Sequence, residues 1–274
     1  MLEIESAGMT DVGKKRSGNE DAYRIDDALG LYVVSDGMGG HLAGEVASGV
    51  VVDTLYDYII GGGGGRGTDG VSVDGARLIS GIHRAHEKVS ALSLSDAACR
   101  GMGATVSAVY YTAGTCIAAN VGDSPIYLLH GGDIEMISVL HTVMAEHAAL
   151  SGGGKSPLDQ RFGHMLTRAM GVGGEITPDI CEIQCFSGDM IVICSDGLSD
   201  KLRPDEIREA VDGKSPAKAC DDLIAMANHR GGEDNITVVI LKFVNRGLIE
   251  RMLHRLKEIF FKMFPKARQD KYIS

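Results

Sequence analysis

Three acidic residues stand where an apolar run ends or begins. Leu31-Tyr32-Val33-Val34-Ser35 leads into Asp36-Gly37-Met38-Gly39-Gly40-His41. Met190–Ser195 leads into Asp196-Gly197, and Gly231-Gly232-Glu233-Asp234-Asn235 leads into Ile236–Ile240. A fourth polar element, Asn19-Glu20-Asp21, follows Arg16. A carboxylate at the mouth of a buried strand is costly unless donors or a cation compensate it. Several brought together repel one another unless a metal neutralises them, and oxygen donors suit hard divalent ions such as Mg²⁺ and Mn²⁺. A single Asp-Gly reads as a hairpin turn, and Asp74-Gly75 and Asp212-Gly213 are left as turns. What sets the others apart is coincidence: three strand-end aspartates, an Asn-Glu-Asp run and an arginine upstream. The glycines after Asp36 and Asp196 are expected to turn the backbone tightly, so that a main-chain carbonyl can also reach an ion.

The elements that must position these groups follow from periodicity. Val46, Val50, Thr54, Leu55, Tyr58 and Ile59 recur at helical spacing, as do Leu78, Ile79, Ile82, Ala85, His86 and Val89. Between them Gly61–Gly65 and its continuation to Gly70 read as a flexible loop, and no phosphate-binding G-x-x-x-x-G-K-[ST] follows. Thr105–Thr112, Thr115–Val121, Pro125–His130 and Ile134–Ser138 are β-rich runs separated by glycine-bearing turns, which predicts an antiparallel meander. Met190–Ser195 and Asn235–Val244 read as buried strands, with helices at Pro204–Val211 and Ser215–His229. Strands come in blocks and helices in pairs, so the expected class is α+β, antiparallel sheets flanked by helix pairs. Ser151–Leu166, rich in glycine and polar residues, reads as a flap over a surface.

Composition narrows the function classes. The 274 residues are 44% hydrophobic and 23% charged, enough apolar content for a real core and too much for wholesale disorder. No apolar run approaches the roughly 20 residues a bilayer needs. Glu3, Glu5 and Asp11 interrupt the N-terminus where a signal peptide requires an apolar stretch, so the expected location is cytoplasmic. The six cysteines form no C-x-x-C pair and read as buried thiols. The net charge of −10 is uneven: residues 246–274 carry eight Lys/Arg against three Asp/Glu, leaving −15 on the rest. Such an acidic body argues against nucleic-acid binding and against a metal-dependent nuclease. In the tail Ile249, Met252, Leu253, Leu256, Phe260 and Met263 share one helical stripe, with Arg251, Arg255, Lys257 and Lys262 mostly off it. This basic amphipathic segment either packs on its own domain, extends freely, or contacts a membrane surface or partner protein.

Taken in order, these pieces resemble the bacterial type 2C metal-dependent Ser/Thr protein phosphatases, the PPM family. The resemblance runs from about Thr10 to Phe243. It rests on Thr10-Asp11-x-Gly13-x-x-Arg16-x-x-Asn19-Glu20-Asp21, on Val34–His41 with Gly44-Glu45 and Ala47-Ser48, and on Gly103-Ala104-Thr105. It continues through Ala119–Ser124, Leu166–Gly171, Cys194–Leu198 and Asp234–Thr237. The resemblance implies a four-layered α-β-β-α sandwich over residues 1–245, with 246–274 as a separate tail. It implies two divalent cations, Mn²⁺ or Mg²⁺, with Asp36 bridging both, the Gly37 carbonyl serving one and Asp196 and Asp234 the other. Glu20 and Asp21 would lie close by, partly through water, and Asp123 matches the residue that holds a weaker third ion. Arg16 would grip the substrate phosphate by the bidentate contact that lysine cannot make, and His41 is a further substrate-binding candidate. The implied chemistry is hydrolysis of phosphoserine and phosphothreonine in proteins by water activated between ions roughly 3.5–4 Å apart, without a phosphoenzyme.

Implied partners are phosphorylated proteins, a cognate Ser/Thr kinase and its targets, and the expected state is a monomer. An inactive phosphoprotein-binding adaptor is the alternative. Three departures from the family pattern stand out. Met38 occupies a position where a proton-donating histidine is frequent, an aspartate is missing before His141, and Pro125 replaces a frequent arginine. The remaining histidines, His83, His86, His147 and His164, are expected on the surface or in the core and not as ligands.

Overall fold

The computed structural model describes residues 2–39, 43–67, 70–151 and 165–245. His41, most of the expected flap and the basic tail lie outside them. Chain order begins β1 (Glu3–Asp11), β2 (Asp21–Asp26), β3 (Leu31–Met38), α1 (Ala43–Ile60) and α2 (Val73–Ser95). It continues with β4 (Gly103–Ala104), β5 (Val106–Thr112), β6 (Thr115–Val121), β7 (Ile126–His130), β8 (Asp133–Met136) and α3 (Val143–Leu150). Then come β9 (Asp179–Gln184), β10 (Met190–Cys194), α4 (Asp196–Ser199), α5 (Pro204–Val211), α6 (Pro216–His229) and β11 (Ile236–Val244).

The strands form two antiparallel sheets. One runs β1-β11-β10-β7-β8, anchored by the nine-residue register Glu3↔Val244 to Asp11↔Ile236. The other runs β2-β3-β5-β6-β9, with β4 paired to the end of β3. The expected single meander is therefore split: β5 and β6 belong to one sheet, β7 and β8 to the other. The crossing is the link Gly122–Pro125, where Gly122 has φ +110° and Pro125 cannot donate a ladder hydrogen bond. Pro125 is not idle, because its carbonyl accepts the Cys194 amide and ties the crossing to the neighbouring strand. Asp74-Gly75 is also no turn. Ser72 caps α2 by accepting the Gly75 amide, so the pair sits inside the first helical turn. Asp212-Gly213 does close α5, with Gly213 at φ +68°.

Three apolar layers hold this together. α1 and α2 pack Leu55, Ile59, Leu78 and Ile82 onto β3, β5 and β6. α5 and α6 pack Ile207, Val211 and Leu223 onto β10 and β11. Between the sheets lie Tyr32, Val109, Ile191, Val239, Leu241 and Phe243. Each fully buried side chain of this kind stabilises the fold by roughly 1.5–3 kcal/mol. The α-β-β-α order is the one expected. No described helix is long and apolar enough to cross a membrane.

Cys99, Cys116, Cys185, Cys194 and Cys220 are buried and Cys181 is partly exposed, all as free thiols. Burial pushes Cys220 up to about 12 and Cys194 higher, so neither is a thiolate near neutrality. Thiol titration of the native protein at pH 8 is expected to show one fast-reacting group, Cys181, and all six only on denaturation. Several fast thiols in the native protein would contradict this packing.

Candidate active site

Backbone register brings the acidic residues to one end of both sheets. Asp21 opens β2 directly opposite Asp36 near the end of β3. Asp196 follows β10 as the first residue of α4, and Asp234 stands just before β11, the strand paired with β10. Arg16, Glu20, Asp36, Gly37, Asp123, Asp196 and Asp234 all line one cavity of about 500 Å³, with Met38, Thr105, Arg168 and Val172. Asp21 does not line it and stands behind the wall. Of the expected site residues only His41 falls outside the described chain.

The glycines of both Asp-Gly pairs serve close approach and not a turn. Neither Gly37 nor Gly197 has a positive φ. A Cβ on Gly37 would collide with the Gly44 and Glu20 carbonyls, and one on Gly197 with the Asn235 carbonyl. The bare backbones let the Asp36 strand press against the start of α1, and the Asp196 turn against the Asp234 segment.

Buried hydroxyls and an amide then fix the Asp21 carboxylate and the backbone that carries Asp36, Glu20 and Arg16. Ser195 Oγ and Thr237 Oγ1 both donate to Asp21 Oδ2, at 2.8 and 2.6 Å, joining one sheet to the other. The Asp36 amide donates to Thr105 Oγ1 at 2.9 Å, and Thr105 Oγ1 also pairs with Ser124 Oγ. Asn235 holds the loop that carries Arg16 and Glu20. Its Nδ2 donates to the Val12 and Gly18 carbonyls, and its Oδ1 accepts the Glu20 amide. Thr105, Ser195 and Thr237 were not singled out for these roles in the sequence. Their signal was there as hydroxyls in or next to otherwise apolar strands, which must find partners when buried.

The electrostatics show the strain of this convergence. Burial, reinforced by Asp21, Asp196 and Asp123, holds the Asp36 carboxyl well above the usual carboxylate range. Burial also lifts Asp21 to about 7, with Asp196 and Asp234 adding to it and the Thr237 and Ser195 hydroxyls opposing it. Glu20 is raised chiefly by burial, against the pull of Arg16. The Arg16 guanidinium, 49% exposed, donates to Asp234 at 2.7 Å. Among the described residues no three His, Cys, Asp or Glu side chains already form a metal cage. The donors nevertheless fit a hard divalent cation. They are oxygens only, and their charges disfavour one another, as the raised Asp36 carboxyl shows.

Histidines shape the rim without entering the cavity. His141 Nδ1 accepts the Gly122 amide, which leaves Nε2 to donate to Asp179 Oδ2 at 2.6 Å. Arg168 donates to the same oxygen at 2.8 Å. The acid missing before His141 in sequence is thus supplied by Asp179 of β9. His86 Nδ1 accepts the Gly171 amide and Nε2 donates to the Gly174 carbonyl. Burial holds both imidazoles below their ordinary range. Both are structural, as expected for His86.

With this geometry in hand, the chain belongs to the protein phosphatase 2C family, whose model matches residues 13–235. It is 33% identical over 242 residues to a putative protein phosphatase 2C-type of Streptococcus pyogenes, covering 85% of this chain and 94% of that protein. It is 32% identical to protein phosphatase PhpP of Streptococcus pneumoniae, covering 87% and 97%. Among solved structures, the catalytic domain of serine threonine protein phosphatase PstP in complex with two manganese ions superposes with a TM-score of 0.76. That match has 30% identity and covers 89% of this chain and all of the other.

Two substitutions test the scaffold. Thr237→Val removes a hydroxyl donor from the buried Asp21 carboxylate and is expected to lower stability by about 1–3 kcal/mol in urea unfolding. Gly197→Ala forces a methyl into the Asn235 carbonyl and is expected to cost more than Thr237→Val. Wild-type stability in either variant would contradict the close packing described.

Proposed function

We propose that this member of the family hydrolyses phosphoserine and phosphothreonine in proteins at a centre of two hard divalent cations, Mn²⁺ or Mg²⁺. The observation that carries the reading is the convergence of carboxylates from five separate chain segments beside Arg16 in one cavity. Asp36, the Gly37 carbonyl, Asp196 and Asp234 would hold the two ions, with Glu20 and Asp21 in support and Asp123 offered to a weaker third. When bound, such ions lower the pKa of a water and neutralise charge on the phosphoryl oxygens.

The chain's own residues do the rest. Asp36 and its neighbours supply the negative field, and the buried hydroxyls hold the Asp21 carboxylate and the Asp36 backbone in place. Arg16 offers a planar fork for two phosphoryl oxygens, worth most as charge spreads in the transition state. Its present partner is Asp234, so turning to phosphate requires that Asp234 find another counter-charge. Met38 cannot donate a proton and no histidine among the described residues lines the cavity, so water is the donor we propose for the leaving alkoxide, with His41 the other candidate. His41 remains a substrate-binding candidate. The cysteines take no part.

Residues 1–245 constitute the phosphatase domain in this reading, and the basic segment 246–274 is an attachment for a membrane surface or a partner protein. The protein works as a cytoplasmic monomer against a Ser/Thr kinase and its targets. A phosphothreonine peptide is expected to release phosphate with Mn²⁺ and not with chelator, and Asp36→Asn is expected to reduce turnover by at least about a thousandfold, more than the loss of a single oxyanion donor. An adaptor would bind the peptide and release no phosphate.

Metal binding is also expected to stabilise the fold in a pH-dependent way. A carboxyl whose folded pKa is raised binds its proton more tightly when folded. Its contribution is therefore full below the unfolded value, about 4, and is lost as pH rises through about 7. Metal-free protein is expected to lose stability across that interval, and Mn²⁺ to raise Tm more at pH 7.5 than at pH 5. An equal rise at both values would contradict it.

A further inference from the structure

The cavity wall is part polar and part apolar. Val172 lines the cavity with 46% of its surface exposed, and Met38 lines it too. The two side chains converge over Gly103, where a Cβ would lie 2.6 Å from Met38 Cε and 2.8 Å from Val172 Cγ2. Gly103 is the register partner of Met38 between β3 and β4. The apolar surface is thus built from three segments, and the missing side chain at Gly103 is what lets them close up.

A single exposed valine usually means little. This one is held in place. Ala104 and Met170 exchange both backbone hydrogen bonds, at 3.2 and 2.7 Å. His86 brackets Val172 from beneath, accepting the Gly171 amide at 3.1 Å and donating to the Gly174 carbonyl at 2.8 Å. Gly171, at φ +79°, backs directly onto Val89 of α2. Val172 therefore projects from peptides fixed on both sides, and contact with it costs little ordering. The nearby cavity arginine, Arg168, spends its Nη1 on Asp179 and on the Thr177 carbonyl.

We propose that Met38 and Val172 form a preformed apolar shelf that reads the side chain adjoining the phosphorylated residue. Preferred substrates then carry an apolar residue next to phosphoserine or phosphothreonine. This deepens the phosphatase reading and rests on it. An apolar flank covers the shelf and loses water. A charged flank sheds hydration there without gaining a partner.

The test is steady-state kinetics of the full chain with Mn²⁺ on phosphothreonine peptides that differ only at the two residues flanking the phosphothreonine, as leucine, glycine, aspartate or lysine. Leucine is expected to exceed glycine in kcat/KM by roughly three- to tenfold, mainly through KM, and the charged flanks to fall below glycine. Val172→Thr keeps the shape and Val172→Asp reverses the polarity. Each variant's peptide values are divided by its own kcat/KM for p-nitrophenyl phosphate, which has no flank. The leucine preference is expected to shrink in Val172→Thr and vanish in Val172→Asp. A wild-type enzyme indifferent to the flank, or a Val172→Asp variant with the full leucine preference, overturns the shelf while leaving the phosphatase reading standing. No phosphate from any peptide or from p-nitrophenyl phosphate overturns the phosphatase reading and the shelf with it.

Discussion

Like charges held close together in a desolvated place govern this molecule. Asp21, Asp36, Asp196 and Asp234 come from separate stretches of chain, and left to themselves carboxylates at such positions would move apart or take up protons. The raised Asp21 and Asp36 pKa values record that tension. They stay together because the backbone leaves them no alternative. Asp21 and Asp36 are register partners across β2 and β3, and Asp196 and Asp234 flank the paired strands β10 and β11. A site that stores repulsion in this way is suited to a cation, which converts the penalty into affinity.

The surrounding fold supplies what that arrangement needs. Two sheets facing each other across an apolar layer give a stiff frame, and the helix pairs cover their outer faces. Ser195 and Thr237 on one sheet reach Asp21 on the other, so the hydrogen bonds that fix the site also clasp the sandwich at that end. Gly37 and Gly197 let main chains meet where any side chain would hold them apart. The same contacts hold the sandwich together and place the carboxylates.

Much of this was legible from residue types and order. The strand-end aspartates, the helix at Pro204–Val211 and the antiparallel strand blocks follow from short-range pattern, and the structure has them where expected. What the pattern did not yield is non-local. β1, β2 and β9 alternate weakly and lie toward sheet edges, so little in their own residues marks them as strands. The split of the expected meander depends on which sheet accepts β7, a choice made by partners far along the chain. The Asp-Gly pairs misled in a useful way. Their glycines read as turns, but at Gly37, Gly75 and Gly197 the reason is a neighbour pressed against the backbone, invisible without the fold. The partner of His141 likewise came from β9 and not from the preceding residue.

The most direct measurement is anomalous diffraction from crystals of this protein grown with Mn²⁺. The expected map has two strong peaks in the cavity, one touching Asp196 and Asp234 and both touching Asp36, with Arg16 turned away from Asp234. A map without peaks there, or with the Arg16–Asp234 pair intact and manganese bound only elsewhere, would contradict the central claim that these carboxylates exist to hold a pair of cations.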